Sequence, residues 1–122
     1  MNKTLIILCL VFLVSCSPTE FTSDQIVERK GVSYELNSTT PFTGVVVDYH
    51  ENGQLQVSSN YKDGKRDGLE EMYYENGQLS AKTNFKDGVR GGLAPRYAEN
   101  GELLIARCYG NGISVNMSYC EK

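Results

Sequence analysis

Histidine occurs once in these 122 residues, at His50. A histidine-centred catalytic site needs a nucleophile or an activated water beside the base. The sequence offers His50 only Asp48 and Glu51 as near neighbours, so it reads as a solvated residue beside a turn. One histidine and a few thiols also fall short of the four ligands of a structural zinc site. Long apolar runs are missing too. The longest, Leu5 to Val14, is well under the roughly 20 residues that a spanning helix requires. A basic excess is lacking as well: 12 Lys and Arg stand against 15 Asp and Glu, a net charge of −3. With both signs interspersed there is no electrostatic footprint for nucleic acid, and no polybasic cluster to draw the chain to anionic lipid. The acidic group Asp67, Glu70, Glu71 and Glu75 does not follow the Asp/Asn-rich pattern of a calcium loop. No glycine-rich stretch opens a helix with Lys-Ser/Thr, as a phosphate loop would. The sequence therefore leads us to expect no catalytic constellation, no metal site and no cofactor.

What is present is repetition. Glu51-Asn52-Gly53-Gln54-Leu55 returns as Glu75-Asn76-Gly77-Gln78-Leu79 and again, at the same step, as Glu99-Asn100-Gly101-Glu102-Leu103. That step also links Gly44, Gly68 and Gly92, and then Tyr61, Phe85 and Tyr109. A period held at so many positions marks a repeat architecture. Asn-Gly at 52–53, 76–77 and 100–101 is the strongest short hairpin signal, expected as type I′ turns with positive φ at both central residues. Asp63-Gly64, Asp87-Gly88 and Asn111-Gly112 supply the alternate turns. The turn-defining glycines are thus Gly53, Gly64, Gly77, Gly88, Gly101 and Gly112, with strands of about six residues between them.

Side chains alternate between the turns. Leu55, Val57, Ser59 and Tyr61 share one face against Gln56, Ser58 and Asn60, and Leu79, Ala81, Thr83 and Phe85 repeat the pattern. The leading strands are expected to add Val45, Val47 and Tyr49, then Leu69 and Tyr73, to that face. Aromatics recur at every half-repeat, at Tyr49, Tyr61, Tyr73, Phe85, Tyr97 and Tyr109, and are expected to stack as a cross-strand ladder. The expected fold is all-β, an elongated antiparallel β-meander of 24-residue hairpin repeats.

The N-terminus carries a different signal. A short, weakly basic start and the Leu5 to Val14 run fit a secretory signal. It ends in Leu13-Val14-Ser15-Cys16, which resembles a bacterial lipobox. That resemblance implies cleavage before Cys16 and acylation of its thiol and its new amino group; an ordinary secretory signal is the alternative. Removing residues 1–15 takes away Lys3 and no acid, leaving 11 bases against 15 acids, or −4. Membrane attachment then rests on acyl chains, at about 0.8 kcal/mol per buried methylene. Ser17 is not the Asp that typically retains such proteins in the inner membrane, so in a diderm source outer-membrane sorting is expected.

The chain then divides into a lipidated cysteine and tether at 16–24, and a worn half-repeat at 25–40 that turns at Lys30-Gly31. Three full repeats occupy 41–112, and a closing strand and tail 113–122. The third repeat departs at Pro95, a residue that strands confine to edges and bulges. It departs again at Cys108, which replaces the Asn of positions 60 and 84. Cys108 and Cys120 are an even pair in an exported chain, so a disulfide is expected. A metal site is the rival reading.

The run from Gly44 through Tyr49, Asn52-Gly53, Leu55, Tyr61 and Gly64-Lys65 to Asp67-Gly68 resembles the bacterial variant of the MORN repeat, over about residues 41–112. Proteins with such repeats include small exported lipoproteins and YwqK-type antitoxins. The resemblance implies a non-enzymatic, lipid-anchored protein of the cell envelope that serves as a protein-binding or structural scaffold. Its partners would be the membrane, through Cys16, and a protein, with no nucleic acid involved. The alternative is an antitoxin or immunity-like protein that neutralises a toxin by binding it. Tyr49, Tyr73, Tyr74 and Tyr97 form the candidate binding face, since tyrosine buries a large ring and keeps a polar tip. The other reading of the aromatic ladder is that it forms the core of a thin sheet.

Overall fold

The computed structural model describes residues 19–121; Cys16 and the signal-like segment before it lie outside the described residues. Eight strands form one sheet: β1 (Glu20–Phe21), β4 (Gly44–Tyr49), β5 (Leu55–Lys62), β6 (Lys65–Tyr73), β7 (Leu79–Lys86), β8 (Val89–Tyr97), β9 (Leu103–Gly110) and β10 (Ile113–Val115). They lie side by side in that order, and β4 to β10 make an antiparallel meander. β2 (Ile26–Arg29) and β3 (Val32–Glu35) form a separate hairpin. Strands β5 to β9 are eight or nine residues long, not six, because the loops between them are tighter than the glycine spacing suggested.

Two kinds of turn alternate, and the type I′ turns are not at Asn52-Gly53, Asn76-Gly77 and Asn100-Gly101, where they were expected. Asp63-Gly64, Asp87-Gly88 and Asn111-Gly112 have positive φ at both residues, 50°/82°, 50°/82° and 52°/82°, and so does Lys30-Gly31. These are the two-residue type I′ turns. At the Asn-Gly sites only the glycine is left-handed, with φ of 86°, 86° and 90° at Gly53, Gly77 and Gly101. Gly53 N–H donates to the His50 carbonyl and His50 N–H to the Gln54 carbonyl. That is a three-residue loop with glycine in the left-handed bulge position. The asparagine before it braces the loop, its Oδ1 accepting the N–H two residues on, from Gln54, Gln78 and Glu102.

The tight turns also decide which side chains share a face. A two-residue loop sets Lys62 opposite Lys65 and Lys86 opposite Val89, so odd positions of one strand face even positions of the next. Across the Asn-Gly loops the register shifts at Asp48/Tyr49 and Met72/Tyr73 leave the same odd-to-even pairing, so Val45 and Val47 stand opposite Asn60 and Ser58, and Leu69 opposite Asn84, away from the Leu55–Val57–Ser59–Tyr61 face. That face receives Val46, Asp48, Glu70 and Met72 instead. Tyr49 and Tyr73 come opposite Leu55 and Leu79 only through a register shift beside each loop.

The core is small, as a single-layer sheet requires. Its buried apolar residues are Phe42, Val46, Val47, Phe85 and Cys108. The N-terminal segment covers one end of the sheet. The tether expected through residue 24 in fact docks from Glu20: β1 pairs in parallel with β4, Phe21 meets Phe42 edge-on at 5.0 Å, and Ser23 donates to Asp48 Oδ1 from its N–H and its hydroxyl. At the other end the expected closing strand is cut to Ile113–Val115. Asn116 caps a 3-10 turn over Met117–Tyr119, and the Cys108–Cys120 disulfide (Cα–Cα 5.9 Å) draws the chain back. The outer edge of Leu103 to Arg107 is left without a ladder partner among the described residues. Pro95, inside β8, lies where the β7–β8 ladder lapses between its Ala81 and Asn84 pairings.

Candidate functional site: a clipped sheet with an arginine-lined face

Neighbouring repeats are joined along both rims of the sheet. On the Asn-Gly rim, Asn52 Nδ2 donates to the Glu75 carbonyl at 2.7 Å and Asn76 Nδ2 to the Glu99 carbonyl at 3.0 Å. Beside them, His50 Nε2–H donates to the Tyr73 carbonyl and the Tyr74 hydroxyl to the Tyr97 carbonyl, both at 2.8 Å. On the opposite rim, Gly64 N–H donates to the Phe42 carbonyl, Gly88 N–H to Arg66 and Gly112 N–H to Arg90. Asp87 N–H further donates to Asp67 Oδ2, which Lys86 Nζ approaches to 3.5 Å. Asp67 is held below the ordinary carboxylate value first by that backbone bond, against some desolvation, and then by Lys86.

These contacts place the sequence-derived candidates. His50, expected as a solvated residue, is half-buried and serves as an inter-repeat clip. Tyr74 and Tyr97 are the two ends of another clip. Tyr49 is exposed, its hydroxyl 3.4 Å from Glu20 Oε2. The Tyr73 hydroxyl is pushed up by burial and then by the nearby Glu71 charge. All four tyrosines lie along the Asn-Gly rim. The acidic group is divided: Glu70 and Glu71, as neighbours on one strand, point to opposite faces.

The expected aromatic ladder is interrupted by arginine. Ring-to-ring contacts join Phe21 to Phe42, and Phe42 to Tyr61 at 5.8 Å. Beyond Tyr61 the arginines take over. Arg66 lies over the Phe85 ring at 5.4 Å and Arg90 over the Tyr109 ring at 5.5 Å, each a cation–π contact that extends a guanidinium along the face. Arg66 Nε is also 3.2 Å from Glu70 Oε2, which accepts the Ser59 hydroxyl at 2.7 Å. Burial works to lower the Arg66 pKa, but a hydrogen bond with Tyr61 and the Glu70 charge outweigh it and raise it.

Next to this row, β6 to β9 enclose a shallow depression of about 290 Å³. Met72, Ala81, Ala94 and Ile105 are among the residues that line it, and so are Arg66, Lys82, Arg90, Arg96 and Arg107, with Glu70 the one acid. Lys82 stands opposite Glu71 with its side chain on the other face, so four arginines against one carboxylate give a local balance of +3 in a chain of net charge −3. The Tyr109 hydroxyl reports that potential: its pKa is lowered first by a hydrogen bond with Arg107, against slight desolvation, and then by Arg90. A wider hollow of about 590 Å³ lies against Arg29, Lys30, Val32, Tyr34 and Thr39, but Arg29 there already stacks on Tyr34 at 4.1 Å.

Sequence reading did not single out these arginines. Arg66 and Arg90 stand one full repeat apart and were readable as part of the period. Arg96 and Arg107 are not repeated; their convergence follows only from the odd-to-even register of β8 and β9.

A family model described as the MORN repeat variant matches residues 42–63 and 66–87. The comparison with curated proteins and the comparison with solved structures returned no match. The third copy, with Pro95 and Cys108 in place of the residues of its neighbours, lies beyond the matched segments. The chain is a repeat protein folded as an all-β meander, and two of its copies are similar to the MORN repeat variant.

Proposed function

We propose that this chain is a non-enzymatic binding scaffold of the cell envelope, held at the membrane by acyl groups on Cys16 and turned toward a protein partner. The observation that carries the reading is the contrast between rims and face. Both rims are hydrogen-bonded repeat to repeat, while the face over β6 to β9 is left open with concentrated charge. A stiff sheet presents such a face without an ordering penalty on binding. The lipobox-like Leu13-Val14-Ser15-Cys16 supplies the anchor, with outer-membrane sorting in a diderm source. If the partner is a toxin, the same scaffold acts as an immunity protein. A toxin gene beside this one, whose product the chain neutralises, would establish that version.

The test of placement is the intact mass and detergent partitioning of the full chain from its native host, with and without Cys16→Ser. The expected result is a chain that begins at residue 16, carries acyl mass and enters the detergent phase, all lost in the variant. A chain that retains Met1, or is secreted without lipid, refutes the anchor and moves the scaffold to a soluble setting.

A further inference from the structure

Four of the chain's five arginines converge on one shallow depression, in a protein whose net charge is of the other sign. Resting on the scaffold reading above, we infer that the β6–β9 depression takes an extended, acidic segment of the partner protein, with carboxylates at alternate positions. Charge is the first argument. With +3 concentrated here and a net −3 over the whole chain, an anionic segment is attracted to this face and repelled by the rest of the surface.

Geometry is the second argument. Arg66 and Arg90 are braced over Phe85 and Tyr109, so less side-chain freedom is lost when their planar forks take carboxylates. Ala81 and Ala94 keep the floor low between them, and Met72 and Ile105 are half exposed at 46% and 47%. Apolar floor and cationic wall together suit a strand that alternates acidic and aliphatic side chains. Four strands at about 4.8 Å spacing span about 14 Å, the length of roughly four extended residues at about 3.3 Å each. A volume of about 290 Å³ lies just below the ~300–1,000 Å³ range of enclosed small-molecule sites, so it suits side chains projecting from a longer partner.

The test is a fluorescence titration of the full chain in non-ionic detergent. The probe is a labelled peptide of alternating glutamate and valine, roughly ten residues long, with a lysine–valine peptide as control. The paired variant Arg96→Glu with Arg107→Glu leaves both cation–π contacts in place. Lys30→Glu with Lys62→Glu makes the same change in net charge outside the depression. The expected result is saturable binding of the glutamate peptide alone, weakened at least roughly tenfold per arginine reversed and nearly unchanged by the lysine pair. Equal loss in both pairs, or no saturable binding, overturns the inference. So does a chain that ignores the peptide and instead binds phosphatidylglycerol vesicles or an oligothymidylate through the same arginines. Circular dichroism on each variant separates lost binding from lost folding. Failure here leaves the acyl mass at Cys16 unaffected, and failure of the anchor leaves the peptide titration unaffected.

Discussion

Asn76 carries two hydrogen bonds with separate duties, and removing it measures what joins one repeat to the next. Its Oδ1 accepts Gln78 N–H at 2.9 Å and shapes its own loop, while its Nδ2 reaches the Glu99 carbonyl of the following repeat at 3.0 Å. Asn52 does the same with Gln54 and Glu75. Among the described residues Asn100 makes only the local bond, to Glu102 N–H at 3.0 Å, and no further loop of this kind follows it there. A net protein hydrogen bond contributes about 0.5–1.5 kcal/mol. Asn52→Ala and Asn76→Ala should therefore each lower stability by about 1–2 kcal/mol, and Asn100→Ala by about half as much. At about 4–8 °C per kcal/mol for a domain of this size, the difference is several degrees in Tm. Urea unfolding gives an independent value from the midpoint, provided the slope is unchanged. Asn76→Asp refines the test, since it keeps the local acceptor but turns a carboxylate oxygen toward the Glu99 carbonyl in place of the donor. Its cost should be at least the gap between Asn76→Ala and Asn100→Ala. Equal losses at 76 and 100 would refute the clip as a stabilising device.

Two other predictions address the opposite rim. At Gly64, with φ of +82°, an added Cβ would meet Val32 Cγ1 at 2.3 Å and the Ser33 carbonyl at 2.9 Å, whereas at Gly53, with φ of +86°, it would meet nothing within 4 Å. Both alanine variants incur about 1–2 kcal/mol of left-handed strain, so in thermal unfolding Gly64→Ala should lose more by detaching the β2–β3 hairpin; equal losses would contradict that packing. Asp67 ionises more readily in the fold than in the unfolded chain. Its stabilisation is then present above the ordinary value of 3.8 and is lost as pH falls through the lower folded value. The stability gap between wild type and Asp67→Asn in urea should narrow across that window, and a gap that widens on acidification would reverse the assignment.

The repeat itself was legible in the sequence because glycines recurring regularly from Gly53 to Gly112 have few uses in a strand protein besides turns. The turn types were not. Asn-Gly fits either a two-residue loop or a three-residue loop with glycine in the bulge position, and the choice lies in how the flanking strands pair. That choice propagates. Once the Asn-Gly loops set Val45 opposite Asn60 and Leu69 opposite Asn84, the face that each strand presents is determined, and with the tight turns so is the convergence of Arg96 and Arg107 with Arg66 and Arg90. The aromatic spacing was equally visible. Nothing in it revealed that Arg66 and Arg90 would lie over rings that were expected to stack on one another. The docking of Phe21, within the segment read as a tether, was not legible because its partner, Phe42, is distant in sequence and near only in the fold.

The central claim is that one face of this sheet does the binding, and site-specific photocrosslinking in the native host tests it most directly. A benzoyl-phenylalanine at Ala94, in the depression, is compared with one at Ser80, which as the neighbour of Ala81 points to the other face of β7. The account predicts a discrete protein adduct from position 94, none from position 80, and loss of the adduct when Arg96 and Arg107 are reversed to glutamate. An adduct from position 80 alone, or one at 94 indifferent to the arginines, would contradict it.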